Sequence, residues 1–187
     1  MRAHLRLLPL LLAAVALSAC GDTTHNRVAD NEGIYVDVGA LKYQVQLSRE
    51  LNPYDTEDST YLQGLAPADA TLTPTQAWFG VFMQVFNKTS HSQQPASQFY
   101  ITDTQGIVYW PTPVPASNPF GYAAATIPPH SQIPSLDSAA YSGPTQGAAL
   151  VFKMTIASFE DRPLVLHIID PQQPQNSKIA ATVQLDV

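Results

Sequence analysis

The sequence feature that most constrains the fold is a repeated two-residue alternation of apolar and polar side chains. In residues 41–47, Leu, Tyr, Val and Leu alternate with Lys and Gln, and similar stripes recur in 150–156, 164–168 and 179–187. Successive side chains of a strand point to opposite faces, so this alternation predicts β-strands with one buried face. The pattern predicts buried Leu150, Phe152, Met154, Leu164, Leu166 and Ile168, with Lys153 and His167 facing outward.

Further strands are predicted at 34–38 and at 77–87, which is apolar on both faces. Residues 97–102 and 107–110 flank Asp103-Thr104-Gln105-Gly106, a sequence typical of a hairpin turn. Helical periodicity is almost absent, apart from one or two turns expected within 55–63. Seven or eight short strands of this kind predict an all-β fold, an antiparallel β-sandwich of immunoglobulin-like type.

The proline-rich segment, residues 111–148, interrupts the regular strand spacing and contains eight prolines. Proline has no backbone N–H and a fixed φ, so this segment can form neither a central strand nor a helix. We expect a long, semi-rigid loop that lies against the sandwich. It should bury Phe120 and at least one of Ile127 and Ile133.

The N-terminus has the features of an export signal. Arg2 and Arg6 precede an apolar run from Leu7 to Leu17, which is too short to cross a bilayer as a helix. The sequence Leu17-Ser18-Ala19-Cys20 then resembles the lipobox of bacterial lipoproteins, and Cys20 is the only cysteine of the chain. The resemblance implies cleavage before Cys20 and covalent acyl groups on its thiol.

These features predict three parts of the chain. Residues 1–19 are a lipoprotein signal peptide, 20–33 a lipidated cysteine with a flexible tether, and 34–187 a single sandwich domain. Two or three acyl chains on Cys20 would hold the protein on a membrane, facing outside the cytoplasm. We therefore expect the membrane as a partner through the lipid anchor, and an envelope protein as a further possible partner.

The charge of the mature chain argues against nucleic acid as a partner. Removing Arg2 and Arg6 takes the nine basic residues to seven, against 15 acidic ones, for a formal net charge of −8. Proteins that bind polyphosphates carry basic patches, and none is present. The anchoring must accordingly come from the acyl chains.

Three sequence stretches resemble a telokin-like immunoglobulin family, whose domains of unknown function occur in many bacterial lipoproteins. They are AWFGVFMQVFNKTS (77–90), SQFYITDTQGIVYW (97–110) and Gly147–Phe152. The resemblance covers residues 35–187 and implies an immunoglobulin-like sandwich. The long proline-rich segment and residues 49–75 depart from the compact family pattern. The family has no agreed catalytic residues, so the resemblance implies none here.

An acidic cluster is the best local candidate for a metal site. It consists of Glu50, Asp55, Glu57 and Asp58, and Ca²⁺ prefers such oxygen ligands. The spacing does not match an EF-hand loop. The same carboxylates are also favoured at a helix N-terminus, where they interact with the helix dipole, and we prefer this second interpretation.

Aromatic residues form a second candidate site. Trp78, Phe82 and Phe86 share one side of the strand at 77–87, and Tyr109 and Trp110 end the predicted hairpin. The proline-rich segment could cover this apolar face, which is the outcome we expect. Alternatively, Trp78, Phe82, Tyr109 and Trp110 line an exposed groove for a partner peptide or apolar ligand.

No pattern of catalytic residues stands out. The histidines of the mature chain are scattered and there is no Gly-x-Ser-x-Gly sequence, so we expect no catalytic activity and no cofactor beyond the acyl groups on Cys20. The sequence favours a membrane-anchored, extracytoplasmic binding or accessory module of the cell envelope. The alternative is a lipoprotein that binds a metal or small ligand through the acidic 50–58 segment.

Overall fold

The computed structural model describes residues 25–186, which fold into two β-sheets packed face to face. The strands are β1 (Val28–Ala29), β2 (Tyr35–Val38), β3 (Leu41–Leu51), β4 (Gln76–Asn87), β5 (Phe99–Thr102), β6 (Val108–Tyr109), β7 (Pro111–Thr112), β8 (Gln132–Ile133), β9 (Ala148–Thr155), β10 (Leu164–Ile169) and β11 (Ile179–Leu185). The helices are α1 (Thr56–Tyr61), α2 (Pro67–Ala70) and α3 (Ala139–Ser142), with 3₁₀ turns at Ile156–Phe159 and Pro174–Asn176.

The five-stranded sheet has the order β1-β11-β10-β5-β6, and the six-stranded sheet has the order β2-β3-β4-β9-β7 with β8 paired to β4. The strand pairs are antiparallel except for β1, which runs parallel to β11. Seven of the described strands have four or more residues, and the other four have only two. The predicted all-β sandwich of seven or eight strands is therefore confirmed.

The main core lies between the two sheets and follows the predicted alternation. Its largest fully buried members come from both sheets, among them Phe79, Phe99, Phe152 and Met154. The six core positions named from the sequence are all buried, and Lys153 and His167 are half-buried on the outward side of their strands. Period-two patterning was sufficient here because each strand has one face on the core.

A second, smaller core covers the outer face of the six-stranded sheet. Trp78 and Phe82 on β4 pack there with Leu51 and with Tyr61 of α1, and the proline-rich segment adds Phe120 from above. The Tyr61 ring meets the rings of Phe82 and Phe120 edge to face, with centroids 4.8 Å and 5.3 Å away. The covered-face interpretation of these aromatics is therefore confirmed.

Two buried asparagines fasten the proline-rich segment to the sandwich. Asn118 donates from Nδ2 to three carbonyl oxygens near the end of α1, at 3.0–3.2 Å. Asn87 at the end of β4 donates from Nδ2 to the carbonyls of Ile127 and Pro128 at 3.0 Å and 2.9 Å. Ile127 is buried as predicted, whereas Phe120 is only half-buried. The segment packs through a few anchors, as its irregular apolar spacing suggested.

The predicted local signals also appear in the structure. Asp55 caps α1 by accepting the backbone N–H groups of Glu57 and Asp58. In the hairpin between β5 and β6, the Asp103 carboxylate accepts the N–H of Ile107, and Gly106 has a φ of +80°. A positive φ is easily adopted only by glycine, which explains its position in this turn.

The predicted boundary of the tether at residue 33 needs correction, because the sandwich begins earlier. Val28 and Ala29 form β1 beside β11, and Ala29 is buried in the main core. Glu32 accepts hydrogen bonds from Ser48 and from the backbone of Asp186. Two strand residues are too few to show a period of two, and their partner lies at the far end of the chain.

Within residues 25–186, we find no helix of the length and apolar character required to cross a membrane. Cys20 and the predicted signal peptide lie outside the described residues.

Candidate binding surface

In the described part of the chain, the second core covers the outer face of the six-stranded sheet, whereas a group of outward side chains on the five-stranded sheet is half-buried or exposed. Alternation and register bring five outward side chains into one line across this sheet. Thr182 on β11 is the partner of Val28 on one side and of His167 on the other, and His167 is the partner of Tyr100 on β5. Tyr109 pairs with Ile101, so Trp110 follows beside Tyr100. We call Val28, Thr182, His167, Tyr100 and Trp110 the outer row.

The aromatic half of the outer row is held in place by its own contacts. The rings of Tyr100 and His167 stack with centroids 4.4 Å apart and planes 7° apart, and the Trp110 ring lies 5.2 Å from Tyr100. His167 Nε2 forms a hydrogen bond of 2.9 Å with Thr102 Oγ1. Neighbouring strands are about 4.8 Å apart, so stacked rings on adjacent strands stand upright on the sheet.

Burial shifts the proton equilibria of these rings towards their neutral forms. It lowers the pKa of His167 and raises the pKa of the Tyr100 hydroxyl. The His167 Nδ1 atom is buried and has no hydrogen-bond partner among the described residues. An imidazole whose pKa lies below its usual value of about 6.5 is uncharged at neutral pH. The row is therefore a neutral surface under these conditions.

The whole outer face lacks formal charge along the strands. Besides the outer row, the side chains of Gln184, Val165, Thr102 and Val108 point outward from these strands, whereas Ala180 lies at a β-bulge and packs against the main core. Several apolar side chains at the two edges are exposed, with 58% for Val28, 56% for Trp110 and 44% for Val108. An exposed aromatic and aliphatic surface of this kind marks a contact surface more often than single scattered apolar residues do.

The acidic cluster does not converge on a common point. Asp58 forms an ion pair with Arg49 and accepts the backbone N–H of Asn52. Glu57 accepts the hydroxyls of Tyr61 and Thr145, each at 2.7 Å. Asp55 is the helix cap described above, and Glu50 is exposed at the end of β3. No group of three or more His, Cys, Asp or Glu side chains suited to a metal occurs in residues 25–186.

The electrostatics of Asp58 agree with a role in the fold. Burial on its own would raise the pKa of this carboxyl, but the hydrogen bond and charge of Arg49, with the N–H of Asn52, outweigh burial and lower it. Asp58 therefore remains ionised beside Arg49. The hydrogen bond to Asp58 in turn raises the pKa of Arg49. These contacts tie α1 to β3.

The aromatic candidates from the sequence divide into buried and exposed residues. Trp78 and Phe82 belong to the second core, with 2% and 0% exposure, so their assignment to a partner-binding groove is wrong. Tyr109 points into the main core, where its hydroxyl contacts Thr155 Oγ1 at 2.9 Å, so its assignment is wrong too. Of these four, Trp110 alone is exposed.

The sequence interpretation missed Tyr100 and treated His167 only as an outward-facing histidine. The alternation of side chains along the strands could have indicated both residues. Tyr100 lies between Phe99 and Ile101, and His167 lies between Leu166 and Ile168. Both pairs of neighbours are core residues. Parity places each side chain on the outer face of its own strand, but only the pairing of β5 with β10 makes them neighbours.

The fold defines the protein as a two-sheet β-sandwich, and several solved bacterial structures are similar to it at low sequence identity. The yjhA protein from Bacillus subtilis is 10% identical, with a TM-score of 0.46 over 84% of this chain and 99% of that one. A functionally unknown protein from Listeria monocytogenes EGD-e is 12% identical, with a TM-score of 0.49 over 80% and 76%.

The secreted protein MPT63 from Mycobacterium tuberculosis is also similar in fold. It is 16% identical, with a TM-score of 0.49 over 87% of this chain and 99% of that one. No protein-family model matches the chain, and no curated protein matches it. The likeness to these structures concerns the fold alone.

Proposed function

We propose that this chain is a membrane-anchored, extracytoplasmic lipoprotein that acts as a binding or accessory module of the cell envelope, without catalysis. The observation that carries the proposal is the lipobox-like Leu17-Ser18-Ala19-Cys20, which contains the only cysteine of the chain. A diacylated or triacylated cysteine anchors a protein far more firmly than a single acyl chain, which binds membranes only marginally.

The short stretch of chain between Cys20 and the first strand supports a sandwich anchored close to the membrane. The described residues begin at His25, five residues after Cys20, and β1 begins at Val28. An extended chain spans at most about 3.6 Å per residue, so the eight steps from Cys20 to Val28 reach about 29 Å. A sandwich attached in this way stays close to the membrane surface.

The outer row is the contact face in this proposal. Its exposed aromatic and aliphatic side chains are the kind that dominate binding energy at interfaces, where Trp and Tyr are enriched. The acidic cluster is less suited to this function, because Asp55, Glu57 and Asp58 already have partners within the fold. The outer row is therefore favoured over the acidic cluster as the contact surface.

The anchor is tested with the full chain and the Cys20→Ser substitution. The parent protein should be cleaved, carry acyl groups detectable by mass and fractionate with membranes, and the variant should lose all three properties. Ser18→Ala is the matched control, because it keeps a small residue at the same place and should leave processing intact. Normal cleavage and unchanged membrane association of the Cys20→Ser protein would refute lipidation.

A further inference from the structure

The two sides of the sandwich differ sharply in charge. The outer face of the five-stranded sheet carries no ionised side chain on its strands at neutral pH, as described above. The opposite side is covered by the segment containing α1 and α2, which carries Asp55, Glu57, Asp58 and Asp69. Two basic residues lie on the same side, Arg49 paired with Asp58 and Lys153 over the Trp78 ring, so carboxylates are in excess there. A negatively charged membrane surface repels such carboxylates over about 10 Å at ordinary ionic strength. The molecule therefore has one face whose strands carry no charge, which suits close approach, and an opposite side with an excess of carboxylates.

The chain enters the sandwich at the edge of the neutral side. The strand nearest to Cys20 is β1, which is an edge strand of the five-stranded sheet. Four strand spacings separate β1 from β6, so the outer row extends about 19 Å across the sheet. The eight residue-to-residue steps from Cys20 to Val28 reach about 29 Å. This stretch of chain is long enough to let this face lie flat on the surface that carries the anchor.

The aromatic side chains Trp110 and Tyr100 of the outer row suit the boundary between lipid and water. Trp and Tyr are enriched at this boundary because one end of each ring system is apolar and the other is polar. Trp110 and Val28 protrude at opposite ends of the row, while Tyr100 and His167 are half-buried between them. No charged strand residue of this face would lose its hydration on contact, and the nearest charge at this edge is that of the exposed Arg27 before Val28.

We propose that the outer row rests on the lipid surface of the membrane that carries the anchor, and that the acidic, helix-covered side faces away from it. This inference rests on the proposed lipidation of Cys20. A short flexible linker gives an effective concentration in the millimolar range, so even a weak contact face is occupied for much of the time once anchored. The anchor supplies retention on the membrane, and the outer row supplies orientation.

The two tryptophans of the chain provide a direct test. Trp110 is exposed in the outer row, and Trp78 is buried in the second core on the far side of the six-stranded sheet. The lipidated full-length protein is reconstituted in phosphatidylcholine vesicles with or without lipids brominated near the headgroup. Bromine quenches fluorescence at short range, and stacked sheets are about 10 Å apart, so Trp78 should be spared.

Brominated vesicles should quench about half or more of the Trp110 emission, because the tethered face should contact lipid for at least half of the time. Trp110→Phe is the matched control, since its remaining emission comes from Trp78 and should be unaffected. Equal emission of the parent protein in brominated and plain vesicles, with acylation verified by mass, would overturn the orientation while leaving the anchor intact.

Two further outcomes separate the alternatives. If Trp110 is shielded from aqueous iodide but is not quenched by brominated lipid, the face is occupied by protein or by a second copy, and the lipid contact is wrong. A protein recovered without acyl groups and free of vesicles would overturn the proposed function together with this inference.

A polarity-sensitive dye on an introduced cysteine gives a second test of the orientation. The dye is attached either in the outer row, through Thr182→Cys, or on α1, through Ser59→Cys as the control. A blue shift at position 182 alone supports the orientation.

Discussion

Asn118 offers the sharpest test of how the proline-rich segment is held. Its Nδ2 group donates to the carbonyl oxygens of Thr60, Tyr61 and Gln63 at 3.0, 3.2 and 3.1 Å. Its Oδ1 accepts the backbone N–H of Phe120 at 2.9 Å. The last carbonyls of a helix lack partners within the helix, so this one side chain supplies what α1 cannot.

The Asn118→Ala substitution removes all of these bonds at a buried position. The amide has only two hydrogens to donate, so we count two donated bonds and one accepted bond, each contributing about 1 kcal/mol. The expected loss in the free energy of unfolding is about 2–3 kcal/mol. For a domain of this size, 1 kcal/mol corresponds to about 2–4 °C, so the melting temperature should fall by about 5–10 °C.

Urea unfolding measures the loss, and hydrogen exchange at the Phe120 amide reports the local effect. Asn118→Asp keeps the shape but places a carboxylate opposite three carbonyl oxygens, so at neutral pH it should be less stable than Asn118→Ala. Protonation relieves this repulsion, and its stability should improve as the pH falls. Asn176→Ala, on an exposed 3₁₀ turn, is the control and should stay within about 0.5 kcal/mol. A loss below about 0.5 kcal/mol for Asn118→Ala would show that Asn118 does not hold the proline-rich segment, since ordinary surface substitutions change stability by no more than that.

Contacts elsewhere in the sandwich lead to three further predictions. Phe152→Ala should cost about 3–5 kcal/mol in urea unfolding, as truncation of a fully buried aromatic does, whereas Lys153→Ala should lose only the contact with the Trp78 ring, about 0.5–1 kcal/mol. The stability contributed by His167 is fully present above the unfolded pKa of about 6.5 and falls as the pH drops towards its lowered folded pKa; His167→Gln should flatten the stability profile there, and an unchanged profile would contradict the burial of this ring. Arg49→Gln should cost about 1.5–3 kcal/mol, because the buried Asp58 carboxylate loses its charged hydrogen bond and keeps only the N–H of Asn52, and a double variant with Asp58→Asn should recover part of it.

Much of the sandwich could be predicted because a strand with one buried face shows that face in its sequence. The stripe from Leu150 to Met154 and the stripe from Leu164 to Ile168 were sufficient to name core residues on two different sheets. The apolar strand at 77–87 was harder to interpret, because both of its faces are apolar. Periodicity showed that Trp78 and Phe82 share a side, and the covering of that side by α1 became evident only in the structure.

The candidate site was less predictable because it depends on register. Tyr100 and His167 are 67 residues apart in sequence, and they stack because β5 pairs with β10 in one particular alignment. A shift of β5 by one residue would turn Tyr100 into the core and break the stack. Asp58 presents the same difficulty, since its partner Arg49 lies on the preceding strand and is brought to it by the return of the chain into α1.

The different treatment of the two sheets links the fold to the proposed function. Trp78 and Phe82 on the outer face of the six-stranded sheet present large apolar rings, so water contact would be costly, and the chain covers them with α1 and the proline-rich segment. The outer face of the five-stranded sheet mixes aromatic rings with Thr182 and Gln184, whose polar groups tolerate water. An antiparallel sheet of this composition is stable with one side in solvent. This face can therefore remain uncovered in the free protein and still gain free energy from contact with an apolar boundary. Under the proposed function, an anchored protein needs this property to orient itself on a membrane.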